Sequence, residues 1–412
     1  MKVVVVGGGV IGLCAAHYLQ ERGAEVALVE RDRCGGGTSL GNGGWITPML
    51  SAPIAGPGVM WQAIKWMLQP SSPFYIRPRL DPALAAWCLR FWRNCSEDRY
   101  RAGMRAMLAL GERTLELFDE LAARGVRFEM GGGGLVFAAF SRAGLAGFAT
   151  EFEQVRALGV DPAVRELGRE ELHALEPALD PRVTAGLIAE RERWVRPESL
   201  CAGLLEQVRA AGAHVLEQTP VTAVRASGSG WTVETPAASI GCDRVLLAAG
   251  TWTPPLLAGL GLRIPLQPAK GYSITARGRG QAPRHALYFA ESKVGVTAFE
   301  AGVRLSGTLE LTGMDLSLTR RRVSAVARGA TKYLRDWRPD DVQLEWAGLR
   351  PYLPDALPVI GPVPGARGAY VASGHGMSGV TLGPATGRAV AALVLEDAVP
   401  DVLRPFRLDR SF

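Results

Sequence analysis

A short β-branched run over residues 1–6 opens into glycines at Gly7, Gly9 and Gly12, the G-x-G-x-x-G spacing. Residues 11–22 then carry a helical pattern, residues 25–29 read as a second strand, and Glu30 closes it. Each part of such a unit has a physical task. Gly7 permits a tight turn, Gly9 lets backbone approach a pyrophosphate, and Gly12 lets the helix pack close to the first strand. The helix N-terminus presents free N–H groups and a partial positive charge to the phosphates. Glu30, roughly 20 residues past the glycines as the fingerprint asks, can accept hydrogen bonds from a ribose diol. Val10, Ile11 and Arg31 flank these positions and are counted with the cofactor contacts. A glycine triplet alone is a weak signal. Strand, helix, second strand and acid in register specify dinucleotide binding.

The next stretch hints at a cofactor larger than NAD. Residues 35–44 are rich in glycine and include Thr38, Ser39, Asn42, Gly43 and Gly44. They are too polar and flexible for a helix or strand, so they form a loop placed to run beneath a bound dinucleotide. A plain NAD domain would pass straight into its next helix here; a surface loop without a ligand is the bland alternative. Other classes of function are disfavoured. Only five of the 46 basic residues are lysine, and the arginines are spread along the chain, so no nucleic-acid groove is read. Six cysteines and five histidines show no metal spacing. No stretch reaches the roughly 18 apolar residues of a membrane helix. Residue 1 leads directly into a core strand, which leaves no room for a signal peptide, and a cytoplasmic protein is expected.

At 412 residues two or three domains are expected. Five of the ten tryptophans (Trp45, Trp61, Trp66, Trp87, Trp92) fall within residues 45–92. Residues 59–68 fit a short amphipathic helix with Trp61 and Lys65 one turn apart. Core and interface packing is one reading of this region. The sharper one is an apolar surface meeting the inner face of a membrane or a quinone-carrying partner. Periodicity predicts one helix over residues 99–124, a strand at 135–140, further helix to about residue 179 and a strand over 185–195. Pro197 opens a helix over 198–211. Strands follow at 213–217, 221–225 and 240–249, the last ending in Ala249-Gly250-Thr251-Trp252. That tight turn after a buried strand is where open α/β sheets place ligands. The expected fold is therefore α/β. A discontinuous Rossmann-like domain takes residues 1–50, 197–264 and 345–412; residues 51–196 and 265–344 form an inserted α+β substrate domain built on an antiparallel sheet.

A C-terminal block completes the pattern. Gly348-Leu349-Arg350-Pro351 leads through Pro354-Asp355 and Pro358-Val359-Ile360-Gly361 to Gly374-His375-Gly376-Met377-Ser378-Gly379. Val380-Thr381-Leu382 and Gly383-Pro384-Ala385-Thr386-Gly387 follow. With the Gly7-Gly9-Gly12-Glu30 fingerprint, the loop at Thr38-Ser39 and Asn42-Gly43-Gly44, and the strand end Leu246-Leu247-Ala248-Ala249-Gly250, this block resembles the FAD-dependent D-amino acid oxidase/dehydrogenase superfamily. The nearest likeness is to its bacterial D-amino acid dehydrogenase small-subunit type. The segment from Ser72-Pro73-Phe74-Tyr75 through Trp87 and Phe91 resembles the dehydrogenase branch.

The resemblance implies FAD, with adenine near Glu30 and Val221, the pyrophosphate over Gly9 to Gly12, and the isoalloxazine near Asn42 to Gly44 and the Gly374 to Thr381 turn. Trp252 is counted with the cofactor contacts. The residues themselves agree: Gly374, Gly376 and Gly379 free the backbone, and a helix from Val380 to near residue 395 would aim its N-terminus at the flavin N1–C2=O edge. In the family the arginine matching Arg350 holds the amino acid's carboxylate, a task suited to a guanidinium fork. Tyr272 is a second pocket candidate, with packing as the rival reading. His375 is either a donor to the cofactor or a structural histidine. The activity implied is oxidative deamination of an amino acid, a D-amino acid first and cyclic ones such as a proline derivative included. Hydride transfer from Cα to flavin N5 would give an imino acid and then a keto acid, with no side-chain base if the amine arrives neutral. No Cys lies beyond Cys242 and no His between His17 and His173, so non-covalent FAD is expected. Electrons would pass to a quinone or other carrier. The alternatives are an O2-using oxidase of glycine, sarcosine or D-amino acids, a flavin-binding sensor without turnover, and an NAD-dependent dehydrogenase. Oligomeric state, stereochemistry and side-chain preference stay open.

Overall fold

Strand Lys2–Val6 is buried on both faces, with Val3 and Val5 in one hydrophobic cluster and Val4 and Val6 in another. A strand covered on both sides belongs in the middle of a parallel sheet. The computed structural model, which describes residues 1–67 and 74–412, places it there. The six-stranded sheet runs His214–Leu216, Glu25–Val29, Lys2–Val6, Arg244–Leu247, Ala369–Ser373, Val359–Pro362. The first five strands are parallel and the last is antiparallel. Helices Val10–Glu21, Pro197–Ala210 and Gly379–Glu396 contribute Leu13, Leu204 and Val390 to one covering layer. Val224, Trp231 and Val233 of a three-stranded antiparallel sheet cover the other face.

Several expected elements divide. The helix expected over 99–124 is two, Glu97–Gly111 and Thr114–Ala123, because apolar spacing continues through a stop that periodicity does not register. Their Met107, Leu110, Phe118 and Leu121 join the nucleotide-fold core, so this part of the expected insertion packs as part of the Rossmann-like layer. The strand expected over 185–195 is two, Ala185–Ala189 and Arg193–Val195, which lie in different sheets. The one expected over 240–249 breaks at Asp243, whose carboxylate accepts the Lys2 N–H at 2.7 Å. The helical run expected to residue 179 contains strand Val164–Leu167, and the strand expected at 221–225 is Ala223–Ser227.

The second large sheet runs Arg338–Tyr352, Gln267–Arg279, Gly302–Leu311, Val294–Phe299, Ala286–Phe289, Leu135–Ala139, Ala185–Ala189, Val164–Leu167, with Phe74–Ile76 added beside Gly302–Leu311. Its pairs are antiparallel except two: Ala286–Phe289 with Leu135–Ala139, and Gly302–Leu311 with Phe74–Ile76. Arg338–Tyr352 pairs with Gln267–Arg279 along its length, so the expected divide at 344/345 falls inside one strand. Alternation sorts this sheet into two faces. Gly271, Ser273, Thr275, Arg304, Ser306, Trp346, Gly348 and Arg350 share the face toward the 35–44 loop. Tyr272, Ile274 and Ala276 share the other, against Val323 of helix Arg320–Thr331.

In the tryptophan-rich region Trp87 is buried against Phe91, whereas Trp61 and Trp92 are 73% and 58% exposed. Helix Val59–Met67 forms as expected. Leu68, Ser72 and Pro73 lie outside the described residues, as does the side chain of Trp66.

Candidate active site

The glycine turn has the geometry its spacing demands. A Cβ on Gly12 would lie 1.9 Å from the Gly7 carbonyl oxygen, and one on Gly7, at φ +110°, 2.5 Å from that of Ala248. Both glycines are thus required by the protein itself. Gly9 is different: its Cβ would meet nothing nearer than Ser39 Oγ at 3.6 Å, so the space above it is open to a ligand. Helix Val10–Glu21 has no acidic residue in its first turn and no side-chain cap at Gly9. Ser39 Oγ accepts from Val10 N–H at 3.1 Å, and the remaining first-turn N–H groups, Ile11 among them, suit an anion. Glu30 accepts the N–H groups of Gly8 (2.7 Å) and Asp32 (2.9 Å), one at each oxygen, which leaves a lone pair on each for a diol. Thr219 N–H reaches the Glu30 carbonyl at 2.8 Å, bringing the segment before Val221 alongside, and Val221 packs on the second cluster. Arg31 stacks over the Trp252 ring at 4.0 Å, tying the acid's neighbour to the turn after Ala249 and Gly250. These features fit the AMP half of a dinucleotide.

The loop after Glu30 is fastened at successive points. Thr38 Oγ1 donates to Leu349 O (2.7 Å), and Asn42 Oδ1 accepts from Gly44 N–H (2.8 Å), with a long contact from Nδ2 to Met377 O (3.5 Å). Arg304, 2% exposed and paired with Glu198, donates to the carbonyls of Leu40 (3.1 Å) and Asn42 (2.9 Å). Thr297 Oγ1 donates to Gly43 O at 2.7 Å, and Thr381 Oγ1 to Trp45 O at 2.9 Å. Across from the loop, Gly374 and Gly376 take φ of +84° and +54°, and a Cβ on Gly376 would strike the Tyr352 ring at 2.5 Å. Helix Gly379–Glu396 follows Ser378, again without a side-chain cap or an acid in its first turn. Gly383 and Gly387 let this helix approach Val10 and Cys14 closely, which sets its N-terminus relative to that of the first helix. His375 is buried, with Nε2 3.1 Å from Thr386 Oγ1, and burial lowers its pKa to about 3; the structure gives it a structural partner and keeps it neutral.

Arg350 lies on the sheet face below this gap. Its guanidinium occupies the place of a side chain at Gly271, where a Cβ would be 2.2 Å from Nη1. Nη1 donates to Thr308 O at 2.9 Å. That carbonyl is available because the strand bulges here: the register jumps between Lys270/Glu310 and Tyr272/Gly307, and Thr308 takes φ +65°. Among the described residues no carboxylate pairs with Arg350, and four of its five N–H donors have no protein partner. Burial pulls its pKa down, the state of a cation in want of an anion. Tyr352, two residues on and so on the same face, is buried with a hydroxyl lacking a well-formed hydrogen bond; burial raises its pKa to about 12 against the pull of Arg350. The buried Ser273 hydroxyl on this face also lacks a partner.

Tyr272 is not brought to this place. Its hydroxyl contacts Glu310 (3.0 Å) and Thr319 (3.1 Å) on the opposite face, where Glu310 also pairs with Arg322. The reason is parity: residue 271 faces the gap, so residue 272 cannot. Tyr352 was accessible from sequence by the same rule, being two positions from Arg350 in a strand. Arg304, Thr308 and Gly271 carry no local signal.

A model of the FAD-dependent oxidoreductase family, DAO, matches residues 2–393. The chain belongs to this family. FAD is therefore its cofactor, and the glycine cradles, Glu30 and the two uncapped helix N-termini fit that group. Among curated relatives, the D-amino acid dehydrogenase of Bradyrhizobium diazoefficiens is 31% identical over 402 residues, covering 96% of this chain and 95% of its own. That of Phenylobacterium zucineum is 33% identical over 417 residues, covering 97% of each. Among solved structures, glycine oxidase from Geobacillus kaustophilus superposes with a TM-score of 0.78 at 23% identity over 100% of this chain and 99% of its own. L-proline dehydrogenase from P.horikoshii gives 0.76 at 20%, over 99% and 96%. These two show that the DAO fold is shared. Among the described residues no helix is long and apolar enough to cross a membrane, and no cluster of metal-ligating side chains occurs.

Proposed function

We propose that this DAO-family protein is a D-amino acid dehydrogenase whose Arg350 holds the substrate's carboxylate. The observation that carries the reading is a guanidinium with four donors unpartnered among the described residues, set by Gly271 and the Thr308 bulge beneath the 35–44 loop and the Gly374–Gly379 turn. A bidentate carboxylate would fix both position and orientation of the amino acid. Tyr352, neutral at working pH, offers a hydroxyl beside it. When bound, FAD supplies the two-electron acceptor for oxidation at Cα; Gly7, Gly9, Gly12 and Glu30 would hold its AMP half, and Asn42 to Gly44 with Gly376 to Thr381 its ring, without a covalent tether. The N-terminus of helix Gly379–Glu396 is aimed to stabilise negative charge in the gap. The protein's part is positioning and electrostatics, and no side-chain base is assigned. Water would then release a keto acid from the imino acid.

Names of the relatives at 31–33% identity favour a dehydrogenase over an O2-using oxidase, and we infer a quinone or other carrier as its electron acceptor. Exposed Trp61 and Trp92, which line one surface hollow with Arg93 and Arg99, support our reading of peripheral contact with a membrane face. An anaerobic screen of D-, L- and cyclic amino acids, followed by flavin absorbance, tests the assignment. Bleaching by D-amino acids without peroxide release in air is the expected result; bleaching by L-amino acids alone would overturn it.

A further inference from the structure

The sheet face that carries Arg350 continues past it toward a second cation. Ser306 pairs with Gly295, and Gly295 with Tyr288, so these strands follow one another across the face. Extending that register sets Thr308, the anchor of Arg350, beside Lys293 at the end of the Ala286–Phe289/Val294–Phe299 hairpin; a Cβ on Gly307 would lie 3.4 Å from the Lys293 carbonyl oxygen. The Lys293 ammonium leans over the rings of Phe148 (4.8 Å) and Tyr288 (5.9 Å), which themselves meet edge to face. Trp45, the first residue of strand Trp45–Ile46 after the 35–44 loop, packs on the same tyrosine at 5.6 Å between centroids.

This ammonium is partly buried and underused. Among the described residues Lys293 has no carboxylate in ion-pair contact and no hydrogen bond from its side chain, although it carries three donors. Burial lowers its pKa, while Glu291 and Glu151 favour the charged form. Glu291 is engaged by the Tyr333 hydroxyl and the Phe140 N–H. Glu151, one turn beyond Phe148 on helix Arg142–Ala157, is pushed up by burial to about 7 against the pull of Lys293. Tyr288 lies two strands from Ser306, and Thr308 is two residues farther along, a separation of roughly 12 Å at ~4.8 Å per strand and ~3.4 Å per residue. A short dicarboxylate, with hydrogen bonds of ~2.8 Å at each end, spans a similar length.

We propose that Lys293 reads the far end of the substrate side chain, and that the preferred substrates are amino acids bearing a second carboxylate there. The proposal rests on Arg350 holding the first. The test compares the holoenzyme with Lys293→Met, Lys293→Arg and Glu151→Gln, using D-glutamate, D-alanine and D-lysine with a dye acceptor. Calorimetric titration of glutarate and butyrate measures binding without turnover. The expected result is a preference for D-glutamate in kcat/KM. The ratio of KM for D-glutamate to that for D-alanine should rise at least tenfold in Lys293→Met, through KM rather than kcat, and be restored in Lys293→Arg. Glutarate binding should weaken by the same factor relative to butyrate. Equal effects on all substrates, or a preference for D-lysine abolished in Glu151→Gln, would overturn the proposal. If no amino acid is turned over yet glutarate binding still depends on Lys293, the Lys293 site stands and the amino acid reading fails.

Discussion

Replacing Arg350 tests the centre of the site directly. The guanidinium is anchored by one hydrogen bond, to Thr308 O at 2.9 Å, and meets no carboxylate of the protein among the described residues. Arg350→Met therefore removes a substrate contact without stranding a protein anion. A bidentate carboxylate would make two charge-assisted bonds of about 1.5–3 kcal/mol each. Their loss is worth about 3–6 kcal/mol, or roughly 10²- to 10⁴-fold in kcat/KM at about 1.4 kcal/mol per decade. Arg350→Lys keeps the charge but loses the fork, and should fall between the two. The assay is steady-state oxidation of D-alanine with a dye acceptor, normalised to bound FAD, beside the same measurement with D-alaninamide. The acid should lose far more than the amide, with FAD content unchanged. An unchanged KM for the acid, or equal losses for acid and amide, would refute carboxylate binding by Arg350.

Two glycines of the opening turn should separate in behaviour. Gly12→Ala places a Cβ 1.9 Å from Gly7 O and should destabilise even the apoprotein, whereas Gly9→Ala meets only Ser39 Oγ at 3.6 Å and should spare apoprotein melting while lowering FAD retention. Equal loss of apoprotein Tm in both would contradict a ligand above Gly9. The neutral, buried His375 has a folded pKa of about 3 against 6.5 unfolded, so the unfolded state binds more protons between those values. Its contribution is present above pH 6.5 and is lost as pH falls toward 3, on the order of a few kcal/mol; His375→Gln should flatten the pH dependence of Tm there, and an identical slope would count against burial as the cause. Acid precipitation should release the yellow chromophore to the supernatant, and colour in the pellet would mean a covalent flavin.

How much of this could be read from the chain depended on whether the physics was local. The Gly7–Glu30 unit was legible because turn, helix start and acid lie within one βαβ stretch and each residue's task is set by its neighbours. The same holds for the Gly374–Gly379 turn, where positive φ and a following helix are local demands. The two helices of residues 97–123 were harder: their apolar faces serve the nucleotide core from within a stretch that sequence order assigns to the insertion. Domain membership is decided by packing, which order along the chain does not record.

Tyr272 marks the boundary more sharply. An aromatic beside Gly271 looked like a pocket residue, yet the glycine is the position facing the gap, and its missing side chain is the space Arg350 fills. Strand parity alone would have sent Tyr272 to the far face and put Tyr352 beside Arg350. What parity could not supply was the bulge at Thr308, since a residue with φ +65° there carries no sequence mark. That bulge turns a carbonyl to the guanidinium and shifts every later residue of its strand by one place relative to Gln267–Arg279. Glu310 thereby comes to lie with Tyr272 on the helix side, while on the gap side no carboxylate among the described residues meets Arg350. One extra residue in one strand thus separates the acid from the arginine and leaves the arginine available to a substrate.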